Sequence, residues 1–164
     1  MSNVFDGYAV TERPVVNKTT VILVKVRLSI NQIMDLNVVR QSLTAIYSQE
    51  MNWYDEFLTW TPAEYGGVRR IRVPKDNIWL PDINVFQRIN WADVQSLEQV
   101  LTNPIVQWDG RVTVQEPRYL TSACSVDVKY FPFDAHHCTI NIGSWTYKPY
   151  EVDVMPGEFA AGTL

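Results

Sequence analysis

The segment Val24-Lys25-Val26-Arg27-Leu28-Ser29-Ile30 alternates apolar and polar residues over seven positions. Successive side chains of a strand point to opposite faces, so this pattern predicts a strand with one face on a core and the other in water. Similar short runs fall at Leu43 to Met51, Phe57 to Trp60, Val68 to Val73, Ile105 to Trp108, Arg111 to Gln115, Ser125 to Tyr130 and Thr139 to Trp145. Turn residues separate them: Thr61-Pro62, Gly66-Gly67, Val73-Pro74, Leu80-Pro81-Asp82, Asn103-Pro104 and Trp108-Asp109-Gly110. Asp109-Gly110 is the best hairpin signal, because glycine tolerates the positive φ of a type I′ turn. Near-helical apolar spacing occurs only in Trp91 to Leu101, which fits a short helix or an ordered loop equally. Many short strands with regular punctuation predict an all-β sandwich or barrel with at most one short helix.

A length of 164 residues suits one domain spanning 1–164. The content of 46% hydrophobic and 20% charged residues is ordinary, but six Trp, eight Tyr and six Phe make the chain strongly aromatic. A net charge of -4 and a pI near 5.1 argue against nucleic acid, whose phosphates need a basic surface, and against anionic partners generally. No apolar run reaches the ~20 residues of a membrane helix, so any membrane attachment would come through a region outside this chain. Met1 to Asp6 lacks the basic start and apolar core of a secretory signal. Cys124 and Cys138 enclose thirteen residues, unlike redox or zinc CxxC pairs but suited to a local disulfide loop and an oxidising compartment. Asn17-Lys18-Thr19 is a glycosylation sequon, consistent with secretion.

Catalytic chemistry finds little support. His136 and His137 are adjacent, so in a strand their rings point to opposite faces and chelate one ion poorly. Nucleophile-elbow, zinc-protease, P-loop and dinucleotide motifs are absent, and the carboxylates are scattered. Neither an enzyme nor a metal or cofactor site is expected. Arg69, Arg70, Arg72 and Lys75 form the basic cluster, most simply a solvated strand edge. Pro132, between Phe131 and Phe133 inside the cysteine loop, predicts a rigid apolar turn. Trp145 and Tyr147 share one face if extended. Core placement is the ordinary fate of such residues, while a strand-end cage whose π faces attract a cation is the alternative.

Cys124-x13-Cys138 enclosing Phe131-Pro132-Phe133-Asp134, followed by Gly143-Ser144-Trp145-Thr146-Tyr147, resembles the signature of Cys-loop pentameric ligand-gated channels. Trp53-x6-Trp60-x-Pro62-x2-Tyr65-Gly66 and Ile78-Trp79-Leu80-Pro81-Asp82 resemble two further family motifs, in the right order, and Phe5 to Pro14 resembles the lead into the first strand. The likeness covers essentially the whole chain and is closest to nicotinic acetylcholine receptors, serotonin type 3 receptors and soluble acetylcholine-binding proteins. It implies an immunoglobulin-like β-sandwich, extracellular or secreted, in a homo- or hetero-pentamer, with a small cationic or amphiphilic ligand between subunits. On the principal face it implies Phe86 and Trp145, supported by Ser144, Thr146 and Tyr147. Asp82 would accept hydrogen bonds from their loop, and Trp53, Trp60, Trp79 and Pro132 are structural. On the complementary face it implies Ser48, Thr113 and Gln115.

This sequence departs from the family pattern in places. Phe86 replaces a customary tyrosine and loses its hydroxyl. Ser48 stands where many subunits have a tryptophan, and Thr113 and Gln115 make that face polar. Relative to the family, the chain is expected to lack the last two extracellular strands, the loop that caps the ligand and the membrane helices. Two readings follow: ligand recognition, or a truncated, ligand-silent subunit acting in assembly or modulation of related subunits.

Overall fold

The computed structural model describes residues 2–86, 102–125, 129, 133, 136 and 138–157. Among the described residues eight strands run in chain order: β1 (Ile22–Asn37), β2 (Ser42–Thr59), β3 (Arg70–Arg72), β4 (Ile83–Val85), β5 (Ile105–Gln107), β6 (Asp109–Ala123), β7 (Ile142–Ser144) and β8 (Val152–Pro156). Three short 3-10 turns, Ser2–Phe5, Pro62–Tyr65 and Lys75–Asn77, are the helical elements among the described residues. The six-stranded sheet has the order β3-β5-β6-β2-β1-β8, and β4 pairs with β7 in a second, smaller sheet. β1 joins β2 antiparallel and β8 in parallel, with Ile22 opposite Val152.

Period-two burial builds the sandwich. Ile22, Val24 and Val26 of β1, Met51 and Trp53 of β2 and Val112 and Val114 of β6 turn inward, and Ile83 of β4 joins them in one core. Gln49, fully buried in β2, ties the two sheets together by donating from Nε2 to the Ile83 carbonyl at 3.3 Å. Trp53, Trp60 and Trp79 are all core residues. The chain is therefore an all-β, immunoglobulin-like sandwich.

Several details depart from the sequence expectation. The alternation at Val24 to Ile30 continues past the core: β8 flanks only Ile22 to Val26, and Ile30 is exposed although it pairs with buried Tyr47. The runs near Leu43 and Phe57 fuse into one long β2, because β1 and β6 flank it on both sides. The β5–β6 hairpin forms, with Val106 opposite Val112, but not through a type I′ turn. Only Gly110 has positive φ (86°) at that turn, since Asp109 already pairs with Thr59 of β2. From 139 to 145 only Ile142–Ser144 is strand. Val152–Pro156, unannounced by the sequence, is a strand that adds to the edge of β1. The basic cluster does mark an edge, because β3 is the outermost strand of its sheet. The helical candidate 91–101 and most of the run 125–130 lie outside the described residues.

Candidate functional site

The smaller sheet positions the aromatic residues. β4 and β7 pair with Asn84 opposite Gly143, and the Phe86 N–H extends the ladder by donating to the Asn141 carbonyl at 3.0 Å. A Cβ on Gly143 would lie 2.9 and 3.0 Å from the Phe86 ring carbons Cε2 and Cζ, closer than the ~3.5–4.0 Å of ordinary carbon contacts. The bare glycine is thus a seat for that ring. Phe86 in turn meets Trp145, centroid to centroid at 5.7 Å with a 40° tilt. Both rings stand in solvent, Phe86 43% and Trp145 65% exposed. Core placement of Trp145 is ruled out by that exposure.

Trp145 sits on a turn fixed by Asp82. This carboxylate accepts from the Ser144 hydroxyl at 2.5 Å and from the Thr146 N–H at 2.6 Å, while Ser144 Oγ accepts from the Tyr147 N–H at 2.9 Å. Charge-assisted bonds of this kind are about twice as strong as neutral ones. The chain bends after Ser144, so Trp145 and Tyr147 part company instead of sharing a strand face. Tyr147 packs against Trp79 at 6.0 Å, and Trp79 packs against Trp53 at 6.1 Å. The Trp79 indole N–H donates to the Tyr147 hydroxyl at 3.2 Å.

A second layer of hydrogen bonds lies behind these rings and has no signature in the sequence. The Tyr8 hydroxyl donates to Asp55 Oδ2 at 2.6 Å and accepts from the Trp79 N–H at 3.0 Å. Asp55 Oδ1 also accepts from Phe57 and Leu58, where the β2–β6 ladder slips between Tyr54 and Thr59. Burial outweighs these donors and raises the Asp55 pKa above its ordinary value. Burial, then the bond to Asp55, pushes the Tyr8 phenol up, keeping it a donor. A tyrosine ahead of the first strand and an aspartate two residues after Trp53 carry no spacing signal for this contact.

The residues expected on a complementary face share the outer surface of the large sheet. Paired residues point the same way, and the register aligns Ser48 with Ser29 and Pro117, Glu50 with Arg27 and Gln115, and Asn52 with Lys25 and Thr113. Ser48 bonds Asn31 at 2.9 Å, Arg27 pairs with Glu50, and Thr113 donates to Asn52 at 2.6 Å. The row of Thr113 extends through Ile105 to Arg72 at the edge. This face is polar and hydrogen-bonded, and it lies apart from the Phe86–Trp145 rim.

Asn17 is exposed in a turn, its side-chain oxygen accepting from the Thr19 hydroxyl at 2.8 Å. Cys124 and Cys138 form a disulfide. Pro132 and His137 lie outside the described residues, while Phe133 of the cysteine loop is 90% exposed. Among the described residues no group of His, Cys, Asp and Glu is arranged to hold a metal, and no helix is long and apolar enough to cross a membrane.

Two exposed rings on the rim of a sandwich, seated on glycine and braced by a carboxylate, define an all-β domain built around a surface aromatic pair. The chain matches the family "Neurotransmitter-gated ion-channel ligand binding domain" over residues 1–160. It is 37% identical to the acetylcholine receptor subunit alpha-like of Manduca sexta over 161 residues, 98% of this chain and 31% of that protein. It is 39% identical to the neuronal acetylcholine receptor subunit alpha-9 of Rattus norvegicus over 153 residues, covering 93% and 31%. Against the neuronal acetylcholine receptor subunit beta-3 of the same species it is 37% identical over 155 residues, covering 94% and 33%. The chain therefore belongs to the neurotransmitter-gated ion-channel ligand-binding domain family, and it is not an enzyme. It spans about a third of the length of these relatives.

Proposed function

We propose that the chain is the extracellular recognition domain of a neurotransmitter-receptor subunit or of a secreted homologue. It works in a homo- or hetero-pentamer, and a small cationic or amphiphilic ligand binds between protomers. Phe86 and Trp145 supply the principal face, with Ser144, Thr146 and Tyr147 supporting their loop. The outer sheet surface of a neighbour, at Ser48, Thr113 and Gln115, supplies the other. The observation that carries this reading is the solvent-exposed Phe86–Trp145 pair on a turn anchored to Asp82. Each such π face attracts a cation by about 0.5–2 kcal/mol. The polar neighbour face suits a ligand whose other end makes hydrogen bonds. Asn17, exposed in its turn, is the expected glycan acceptor.

A ligand-silent role in assembly is the second reading. It is favoured by Ser48, which offers no ring and is already bonded to Asn31. A tryptophan-fluorescence titration of the isolated oligomer with acetylcholine, serotonin and bulkier amines separates the two. A saturable response that Trp145→Ala weakens at least about fivefold supports recognition. A folded oligomer silent to every amine supports assembly.

A further inference from the structure

At the N-terminal end of the sandwich, a cleft of about 840 Å³ opens between the segment before β1, the end of β2 and the β5–β6 turn. It is distinct from the Phe86–Trp145 rim, neither of whose rings lines it. Phe57 and Trp108 stand on its walls, 47% and 45% exposed, with the half-buried Tyr65 beside them. Burial against the core would remove these faces from water, yet the fold leaves them open.

The charge of the cleft is as uneven as its walls are aromatic. Its lining carries four carboxylates, Asp6, Glu12, Glu64 and Asp109, against the two cations Arg13 and Lys18. The lining keeps a net negative charge. Lys18 pairs with the Glu12 carboxylate at 2.6 Å, and the Arg13 guanidinium donates to the carbonyls of Lys18, Thr20 and Glu151, which leave its charge in place. Among the described residues Asp6 and Glu64 form no ion pair and no side-chain hydrogen bond. Glu64 is held at the cleft by the Pro62–Tyr65 turn, which left-handed Gly66 closes; the N–H groups of Gly66 and of Gly67, the latter at 2.8 Å, donate to the Pro62 carbonyl.

Open π faces and uncompensated carboxylates attract the same species. We infer that this cleft is a second ligand site, for a bulky organic cation whose apolar groups lie on Trp108 and Phe57 and whose charge is met by Asp6 and Glu64. Its volume falls within the ~300–1,000 Å³ of ordinary small-molecule pockets. Aromatic faces contribute cation–π attraction, and the carboxylates select against anions of equal shape. The inference is independent of the reading of the Phe86–Trp145 rim.

The test uses tetraphenylphosphonium and its same-shaped anion tetraphenylborate, titrated calorimetrically into the full chain carrying Trp145→Ala, so that the rim is removed as a competitor. Saturable binding of one tetraphenylphosphonium per chain is expected, weakened at least about fivefold by Trp108→Ala and again by Asp6→Asn with Glu64→Gln. The carboxylate variants change exposed side chains and preserve the fold, which circular dichroism checks. Absence of saturable binding overturns the inference. So does binding that ignores both sets of substitutions, or equal binding of tetraphenylborate.

Discussion

Replacing Tyr8 with phenylalanine keeps the ring, which packs edge-on against Phe5 at 6.4 Å, and removes one oxygen. That oxygen makes two bonds, donating to Asp55 Oδ2 and accepting from the Trp79 N–H. A bond to a charged partner contributes about 1.5–3 kcal/mol, and a buried donor left without an acceptor costs about 1–3 kcal/mol. Tyr8 is only half-buried, so water can replace part of what is lost and the lower ends apply. The expected loss is about 2–3 kcal/mol, which for a chain of this size lowers Tm by roughly 5–10 °C. Urea unfolding followed by circular dichroism measures it, and a double-mutant cycle with Asp55→Asn isolates the shared bond. If the hydroxyl acts as described, the cost of Tyr8→Phe shrinks by at least about 1 kcal/mol in the Asp55→Asn background. A loss below about 1 kcal/mol in the wild-type background, or an undiminished one in the variant, refutes the reasoning.

Three further expectations follow from named contacts. Because the Asp55 pKa is raised on folding, the folded chain holds this proton more tightly, so its contribution to stability is full below the ordinary aspartate pKa and is lost as pH rises through the raised value. The stability of the wild type relative to Asp55→Asn should therefore fall as pH climbs above about 4, and a pH-independent difference would count against it. Gly110→Ala places a Cβ 2.5 Å from the Asp55 carbonyl at φ +86°, so a loss above about 2 kcal/mol is expected, and an unshifted urea midpoint would contradict it. Gly143→Ala pushes the half-exposed Phe86 ring off its seat and away from Trp145. Acrylamide quenching of the fluorescence component lost in Trp145→Phe should rise, while the unfolding midpoint moves by less than about 1.5 kcal/mol; unchanged quenching would sink the seat.

Much of the sandwich was legible because a half-buried strand writes its burial into every second residue, as Val24 and Val26 do. β8 was not, because its hydrophobic positions are few and Pro156-Gly157 reads as a chain end; only the unpaired edge of β1 makes it a strand. The turn at Gly110 was legible as a reversal but not in its type, since Thr59, fifty residues earlier in sequence, decides where β6 begins. At the site, motif spacing brought Asp82, Ser144 and Trp145 into view together. Residue type alone does not separate Trp79, which is core, from Trp145, which faces water; the family resemblance implied that division, and the bend after Ser144 is what turns Trp145 outward. Tyr8 and Asp55 are joined across the fold by a single hydrogen bond, and one sequence offers no pattern for that.

The parallel pairing of β1 with β8 also sets an order of events during synthesis. Ile22 meets Val152, so about 130 residues must follow β1 out of the ribosome before its second edge is covered. At roughly 5–20 residues per second, that edge waits on the order of 6–26 s. Until then the exposed ladder groups of β1 can pair with another nascent chain as readily as with their own partner. The edge of β1 is thus open to mispairing until the five residues Val152–Pro156 emerge and cover it.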